Sequence, residues 1–362
     1  MSRPPLHILE PTLINDAGHC FTICRALAEA AAQKGMEVRI WAGRRVDPGL
    51  IGGKRIRCIP HFDRALRRPQ LHLLLRRLLR GGERILVPTA GRPELLAFAL
   101  LPERLRRLGL AYFYVHQMRM EGNRFRRLQR IARRAPETPI LTTTEALAEA
   151  IGQAGFRTVA CQPCPFTLPE EPPKVVPFRQ LIFPGVARMD KNLPLIAELI
   201  ALLQRQRRAI PFLLQAGPNH HGEYAADVAT LLERIRAVGY PHLTMPGRTL
   251  EGKAYFDQFP GAICLQPYRV REYADKISGI TLDALARGCP VIVRAGIQPA
   301  GLVARFDAGV VIDSDDAACW LDAIDRVIAD YVAFQRRCSD ACAWLREHHS
   351  ATALLDAMER MA

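Results

Sequence analysis

Segments typical of β-strands and of helices alternate along this chain, and the alternation stops once and then starts again. In the first half, the apolar runs "LHILEP" and "AYFYVHQ" are separated by helix-like segments such as "CFTICRALAEAAAQKG". In the second half the same order returns with "QLIFPGV" and "LPLIAELIALLQRQ". Such an alternation buries its apolar faces in a parallel sheet that helices cover on both sides. The sequence therefore predicts an α/β chain with two doubly wound, Rossmann-like domains.

A proline-rich segment separates the two halves. Residues 161–177, "CQPCPFTLPEEPPKVVP", contain six prolines, which exclude a long helix or a central strand. We interpret this segment as a linker between an N-terminal domain, 1–165, and a C-terminal domain, 166–340. The chain's 362 residues are enough for two domains. Residues 341–362 have a helical pattern, and we expect this last segment to cross back to the first domain.

The positive charge of the chain is concentrated in its first half. The net charge is +14, yet residues 1–160 hold 28 Lys/Arg and 13 Asp/Glu, whereas residues 161–362 hold 22 and 23. Such an asymmetry favours an anionic partner for the first domain alone: a membrane surface, a nucleic acid or a polyanionic substrate.

Two arginine-rich segments carry much of this charge. In "DRALRRPQLHLLLRRLLRGG", arginines flank leucines at helical spacing, and "NRFRRLQRIARR" has six arginines around Phe125, Leu128 and Ile131. Both predict basic amphipathic helices that contact anionic lipid. The alternative is that both helices pack into the core and expose their arginines to solvent. The leucines are Leu71, Leu74, Leu75 and Leu78, and the arginines beside them are Arg67, Arg68, Arg76, Arg77 and Arg80.

The remaining bulk features point to an intracellular protein without a metal. No apolar run reaches the roughly eighteen residues that span a bilayer, and "MSRPPLHILEPTL" has no signal-peptide core. We expect a cytoplasmic location, with peripheral contact at the inner face of the plasma membrane. The ten cysteines include one C-x-x-C, Cys161 and Cys164, which no second pair completes as a zinc site. We interpret them as reduced thiols and expect no metal.

Two aspartates, Asp275 and Asp283, have seven residues between them in "DKISGITLDALARGCPVIV". They bracket a loop whose backbone N–H groups, around Ser278 and Gly279, would lie at a helix N-terminus, which favours phosphate. Carboxylates at such a place would accept hydrogen bonds from sugar and ribose hydroxyls. The alternative is a solvated loop with an aspartate that favours the helix dipole.

This stretch resembles the retaining GT-B glycosyltransferases, a family that includes bacterial sugar transferases of lipid and polysaccharide assembly. Their pattern is two acidic residues with seven residues between them, followed by a segment like "DALARGCPVIV". Relatives generally carry Glu at both places, where this chain has the shorter Asp275 and Asp283. The resemblance implies that Asp275 contacts the donor sugar in catalysis, that Asp283 holds the ribose, and that Ser278, Gly279 and Ile280 lie against the donor.

The second match is "FPGVARMDKNLPLI", where the family has a glycine-bearing strand end followed by Arg and Lys. The resemblance implies that Gly185 lies close to the donor, and that Arg188 and Lys191 clamp its diphosphate and act in catalysis. A forked guanidinium and a compact ammonium suit that role. The alternative is a surface ion pair between Arg188 and Asp190.

The first domain matches the family more weakly. By resemblance, Gly18 lets the backbone approach a phosphate or the acceptor, and His19 contacts the acceptor or caps its helix. His116 follows the aromatic strand "AYFYVHQ". Ligands of doubly wound folds bind at the ends of such strands, and the resemblance implies that His116 contacts the donor sugar in catalysis.

The resemblance thus implies transfer of a sugar from a UDP- or GDP-linked donor to a hydroxyl of a lipid-linked or glycan acceptor, with retention. It implies no cofactor besides the donor, and no metal, because Arg and Lys supply the positive charge. Two alternatives remain open: a GT-B-shaped sugar-nucleotide epimerase and a basic nucleic-acid-binding protein. We expect no nucleic acid, because the sequence has no zinc finger and no RNA-recognition aromatic motif. No G-x-G-x-x-G follows "LHILEP", which disfavours a nicotinamide dehydrogenase.

Overall fold

The protein is described here from a computed structural model that covers residues 5–16, 19–166, 168–169, 171–218, 223–248, 250 and 252–361. The chain divides into two compact units. Unit 1 comprises Met1–Thr167 and Glu347–Ala362, and unit 2 comprises Leu168–Arg346. The sequence-based boundary at 165/166 lies two residues before this division, and the returning segment begins at 347 instead of 341.

Unit 1 is a parallel sheet of seven strands in the order β3-β2-β1-β4-β5-β6-β7. Its strands are β1 Leu6–Glu10, β2 Val38–Gly43, β3 Ile56–Phe62, β4 Arg84–Val87, β5 Ala111–Val115, β6 Ile140–Thr142 and β7 Val159–Cys161. Its helices are α1 His19–Gln33, α2 Arg67–Arg80, α3 Arg92–Ala99, α4 Glu103–Arg106, α5 Asn123–Arg134, α6 Glu145–Gln153 and, near the end of the chain, α15 Ala351–Arg360.

Successive residues of a central strand in unit 1 pack alternately into two apolar layers, one on each face of the sheet. On β5, Phe113 and Val115 belong to the layer under α2, α3 and α5, whereas Tyr112 and Tyr114 belong to the layer under α1. A strand that is buried on both faces must be apolar throughout, which is why "AYFYV" shows no polar alternation.

The last helix, α15, completes the layer under α1. Leu354, Leu355 and Met358 are fully buried there, and Lys34 at the end of α1 forms an ion pair with Asp356. The sequence predicted one helical segment here. The structure instead ends α14 at His348 and starts α15 at Ala351, where the Ser350 side chain caps the new helix by accepting from Ala353 N at 3.0 Å.

Unit 2 is a parallel sheet of six strands in the order β10-β9-β8-β11-β12-β13. Its strands are β8 Gln180–Phe183, β9 Phe212–Leu214, β10 Leu243–Thr244, β11 Ala262–Gln266, β12 Val291–Arg294 and β13 Gly309–Ile312. Its helices are α7 Leu193–Arg205, α8 Ala226–Ala237, α9 Gly252–Phe256, α10 Val270–Tyr273, α11 Gly279–Ala286, α12 Gln298–Phe306, α13 Ala317–Ala329 and α14 Tyr331–His348.

Both sheets have the doubly wound topology that the alternation predicted. Each runs outwards in two directions from its first strand, so the strand order reverses between β1 and β4 in unit 1 and between β8 and β11 in unit 2. In such sheets ligands bind beyond the carboxyl ends of the strands at the point of reversal. In the described residues from Gln162 to Arg179, no helix or strand interrupts the proline-rich connection.

The two arginine-rich segments form α2 and α5, and their apolar stripes pack in the core, while contact of their arginines with anionic lipid stays a prediction. Leu71, Leu74, Leu75 and Leu78 of α2 are at most 6% exposed, and Leu128 and Ile131 of α5 are buried with them. The stripes pack onto the sheet because a doubly wound fold needs an apolar helix layer on each face. The arginines of α5 stay exposed, and the described helices include none that is long and apolar enough to cross a membrane.

Candidate functional site

Lys191 lies where the strand order of unit 2 reverses. It ends the 3-10 turn Met189–Lys191 that follows β8, and the residue is only 7% exposed. Its Nζ donates to the carbonyl oxygen of Pro184 at 3.2 Å and lies 5.7 Å from the ring centroid of Tyr268, beyond β11. Burial, with the charge of Arg188 nearby, lowers the pKa of Lys191 to about 8. An ammonium with so little water around it attracts an anion strongly.

Gly185 leaves room for this ammonium. Its φ is +92°, and a Cβ at this position would lie 2.7 Å from Lys191 Nζ and 3.2 Å from Ile280 Cδ1. A side chain here would therefore collide with the lysine and strain the backbone. The same distances show that the loop after β8 contacts the first turn of α11.

The N-terminus of α11 faces this loop. Ser278 is its N-cap residue and accepts from Thr281 N at 3.4 Å, and Gly279 and Ile280 are the first two helical residues. A helix N-terminus carries partial positive charge and unpaired N–H groups. The structure thus brings Gly185, Lys191 and Ile280 together beside the helix that Ser278 caps.

Two buried glutamines, which sequence reasoning missed, fix these loops. Gln215 follows β9 and accepts from Gly185 N at 3.0 Å, while Gln266 ends β11 and accepts from the Thr281 hydroxyl at 2.7 Å. Both are at most 1% exposed. An amide at the carboxyl end of an otherwise apolar strand was the available signal, because a buried amide needs a polar partner.

The two aspartates of the seven-residue spacing have different surroundings. Asp275 lies in the exposed loop before Ser278. Asp283 lies inside α11 and is 7% exposed, where it accepts from the Tyr255 hydroxyl at 3.0 Å and from Arg287 at 2.7 Å. Burial raises the pKa of Asp283 to about 6, although Arg287 and Tyr255 stabilise its charge. Both of its oxygens therefore have partners within unit 2.

Arg188 is half exposed and pairs with Asp190. Its Nε donates to Asp190 Oδ1 at 2.9 Å, and a terminal nitrogen bonds the other carboxylate oxygen. The ion pair that the sequence left as an alternative is therefore present. Arg188 and Asp190 also line a cavity of about 470 Å³, whose other wall is formed by residues near the start of α8, Tyr224 and Asp227 among them. The role of Arg188 as a diphosphate clamp stays a prediction.

In unit 1, His116 follows β5 and both of its ring nitrogens have neighbours. Nε2 lies 2.7 Å from the carbonyl oxygen of Pro88, and Nδ1 lies 3.8 Å from Cys164 Sγ. The ring of His19 packs edge-on against His116, with centroids 4.3 Å apart. Burial lowers the pKa of His116 to about 3 and raises that of Cys164 to about 12. Nε2 of His116 is therefore held by Pro88, the catalytic role of His116 stays a prediction, and Gly18 lies outside the described residues.

A buried carboxylate, also missed from the sequence, marks the strand reversal of unit 1. Glu10 ends β1, is fully buried, and accepts from Thr12 N at 3.1 Å, from the Thr12 hydroxyl at 2.6 Å and from the hydroxyl of Thr89 after β4. Burial raises its pKa. A carboxylate at the end of "LHILE" was the signal, and its bonds tie the ends of two central strands together.

Known proteins resemble this chain in structure and not in sequence. No protein-family model and no curated protein sequence matches it. Sucrose-phosphate synthase from Thermosynechococcus elongatus aligns with 99% of this chain over 98% of its own, with a TM-score of 0.66 and 16% identity. A glycosyltransferase from Rickettsia africae aligns over the same shares, with a TM-score of 0.68 and 10% identity. HepE from Anabaena, solved in complex with UDP, does so with a TM-score of 0.63 and 12% identity.

These similarities span both units and nearly the whole of each compared chain. At 10–16% identity they concern the fold and not the chemistry. The predicted resemblance to GT-B glycosyltransferases is confirmed at that level: the chain has the fold of these enzymes.

Proposed function

We propose that the protein is a glycosyltransferase that moves a sugar from a nucleoside diphosphate donor to a hydroxyl acceptor, with retention of configuration. The observation that carries this proposal is the placement of buried Lys191, side-chain-free Gly185 and the N-terminus of α11 at the strand reversal of unit 2. Such a constellation suits a diphosphate, because a lysine and a helix N-terminus both favour an anion. The UDP complex of HepE, a protein of the same fold, favours UDP as the nucleotide.

In the proposed reaction, Lys191 and α11 stabilise the charge that develops on the leaving diphosphate. Electrostatic groups of this kind act when they are fixed before the reaction and shielded from water. Lys191 meets both conditions through its burial and its bond to Pro184. Arg188 would join as a second cation after exchanging Asp190 for a phosphate, because its guanidinium is half exposed and can turn. These cations supply the charge for which other transferases use a divalent metal.

The two aspartates receive different roles in this proposal. Asp275 lies in an exposed loop three residues before the cap of α11, where its carboxylate can accept from hydroxyls of the donor sugar. Asp283 is a positioning residue, because its bonds to Tyr255 and Arg287 hold α11 in place. The ribose contact that the resemblance implies for Asp283 is not part of the proposal.

The acceptor is proposed to be lipid-linked or a glycan, bound by unit 1 at an anionic membrane surface. Support comes from the exposed arginines of α5, Arg124, Arg126, Arg127, Arg130, Arg133 and Arg134. Leu73 of α2, Leu96 of α3 and Leu100 directly after α3 add exposed apolar side chains, at 60%, 41% and 53%. Basic residues beside scattered apolar ones suit weak, reversible binding to anionic headgroups.

A thermal-shift panel of nucleotide sugars tests the donor assignment. A donor at concentration L that binds only the folded state stabilises it by RT ln(1 + L/Kd), so the melting temperature rises with the logarithm of donor concentration once the concentration exceeds Kd. We expect UDP and one UDP-sugar to stabilise the wild type, and Lys191→Met to remove the shift without lowering the melting temperature of the free protein. Equal shifts in wild type and Lys191→Met would overturn the assignment. Release of free nucleotide without any acceptor would instead favour an epimerase.

A further inference from the structure

Three potential metal ligands from distant parts of the sequence meet in unit 1. His19 opens α1, His116 follows β5, and Cys164 lies in the connection after β7. One ligand atom of each lies within 4.8 Å of those of the other two. A search of the sequence by cysteine spacing could not find this cluster, because Cys164 is grouped here with two histidines and not with Cys161.

The hydrogen bonds of His116 aim one nitrogen at the centre of this cluster. Because a carbonyl oxygen can only accept, the 2.7 Å contact with Pro88 places the ring proton on Nε2. Nδ1 then carries the lone pair, 3.8 Å from Cys164 Sγ. A histidine whose far N–H donates to a backbone carbonyl is the usual arrangement of a metal ligand, since this bond fixes tautomer and ring orientation.

The backbone around Cys164 is also held in place. The Cys164 carbonyl lies 3.0 Å from His349 Nδ1, and the Phe166 N–H donates to the His349 carbonyl at 2.8 Å. Two residues earlier, the Gln162 carbonyl accepts from the Tyr114 hydroxyl at 2.9 Å. The thiol itself has long contacts, 3.5 Å to the Pro165 carbonyl and 3.8 Å to His116 Nδ1. The sulfur is therefore positioned by its backbone and not committed to a strong partner.

We propose that His19, His116 and Cys164 bind a divalent cation of the zinc class through two nitrogens and one sulfur. Imidazole and thiolate are the ligands that Zn²⁺ prefers, whereas Mg²⁺ and Ca²⁺ require oxygens, and this cluster has none. Ligands about 2.0–2.3 Å from a tetrahedral zinc ion lie roughly 3.3–3.8 Å from one another. The nitrogen–sulfur distance of 3.8 Å already fits. The His19 ligand atom lies within 4.8 Å of the other two, so binding requires its side chain to move by about 1 Å.

Binding would release the thiol proton of Cys164 and form a zinc–sulfur bond, with no change of oxidation state. Three protein ligands leave a fourth position for water or an added ligand. The exposed side of His19 gives the ion a route from solvent. The proposal is independent of the donor assignment, because all three ligands belong to unit 1 and Lys191 and α11 belong to unit 2.

The experiment is a titration of the full-length, untagged and metal-free protein with Co²⁺, followed by displacement with Zn²⁺. We expect one Co²⁺ per chain with a near-ultraviolet thiolate-to-cobalt charge-transfer band, which Zn²⁺ removes. Cys164→Ser should lose this band, and His19→Ala and His116→Ala should weaken binding by at least about tenfold, the lower end of what even supporting residues of metal sites cost.

The matched control is Cys161→Ser, which removes the other thiol of the same C-x-x-C and should keep both band and affinity. The circular dichroism and melting temperature of each variant without metal show that lost binding is not lost folding. Absence of the band in wild type, or its persistence in Cys164→Ser, would overturn the site. Loss of binding in Cys161→Ser alone would overturn it equally, since that result assigns the metal to a different cluster.

Discussion

Lys191 is almost fully buried, although its side chain is an ammonium. Without a bound ligand, burial disfavours its charge. Its ammonium has a carbonyl oxygen and an aromatic ring as neighbours, and no carboxylate bonds to it among the described residues. Burial without a full counter-charge is costly unless a ligand supplies the missing anion. This residue is therefore where the proposed function is most directly testable.

The first prediction concerns the pH dependence of nucleotide binding. The pKa of Lys191, lowered to about 8, should rise again when a diphosphate lies beside it. Binding then takes up a proton as the pH passes 8, so UDP affinity should fall about twofold from pH 7 to 8 and by up to about sixfold from pH 8 to 9. Calorimetry in buffers of different ionisation enthalpy measures both quantities.

Lys191→Arg is the control for this prediction, because a guanidinium stays charged throughout the range. Its UDP affinity should show no such fall. A wild-type affinity that is level from pH 7 to 9 would mean that Lys191 does not touch the diphosphate. For turnover, Lys191→Ala should lose about 2–4 kcal/mol of transition-state stabilisation.

The second prediction separates the two aspartates. Asp283→Ala leaves Arg287 buried without its carboxylate and should lower the free energy of unfolding by about 3–5 kcal/mol. Asp275→Ala, an exposed residue of the same type, should change it by no more than about 0.5 kcal/mol while lowering transfer activity. Urea denaturation measures both. A stable Asp283→Ala protein with weakened UDP binding would restore the ribose role to this residue.

At the scale of elements, α2 and α5 show what periodicity predicts and what it leaves open. The helical spacing of the leucines predicted the helices. Spacing alone does not say whether the apolar face of such a helix packs against the protein core or against lipid. The structure shows that the α2 stripe contacts the protein core, since every leucine of the stripe is buried there. Arg77 is likewise engaged, with its guanidinium 4.9 Å from the Trp41 ring centroid. The exposed arginines of α5 remain as the clearest candidates for an anionic surface.

The third prediction tests that surface. Reversing Arg126, Arg127 and Arg130 to Glu should abolish sedimentation with vesicles that contain anionic lipid, since each basic residue near such a surface is worth about 1 kcal/mol. Wild-type binding should weaken as salt rises, and neutral vesicles should not bind. The same reversal at Arg205, Arg234 and Arg236, exposed in unit 2, should leave binding unchanged. If the wild-type protein does not sediment with anionic vesicles at low salt, these arginines contact only solvent and do not bind a membrane.

Sequence patterns predicted those features that depend on residues close together in the chain. The central strands and the flanking helices follow local patterns, and the structure has them in the predicted order. β3 contains Pro60, which argues against a strand from sequence alone and is tolerated because β3 lies at the edge of the sheet. The loop from Gly185 to Lys191 was predicted by resemblance to a local motif. Gln215, Gln266 and the cluster around His116 were not, since they depend on contacts between distant segments.

At the scale of the molecule, unit 1 is built from two separate stretches of chain. Its layer under α1 is completed by Leu354, Leu355 and Met358 of α15, whereas unit 2 is one continuous stretch. A change in α15 should therefore affect unit 1 alone.

The fourth prediction follows from this packing. Leu355→Ala, at a residue only 3% exposed, should lower the free energy of unfolding by about 2–5 kcal/mol. Hydrogen–deuterium exchange should rise in peptides from α1, β1 and β2 and stay constant in unit 2. Thr352→Ala, exposed on the same helix, is the control and should leave exchange unchanged. Increased exchange across unit 2 in Leu355→Ala would show that α15 stabilises the whole chain.

The return of the chain to unit 1 also imposes an order on folding during synthesis. Domains usually fold as they emerge from the ribosome, the first before the second. Here the first 167 residues emerge while the apolar surface of α1 still lacks α15, and this surface stays uncovered until the helix has been made about 190 residues later. Unit 2, continuous in the chain, can complete its core in the meantime. Unit 1, the first to begin folding, is thus the last to complete its core.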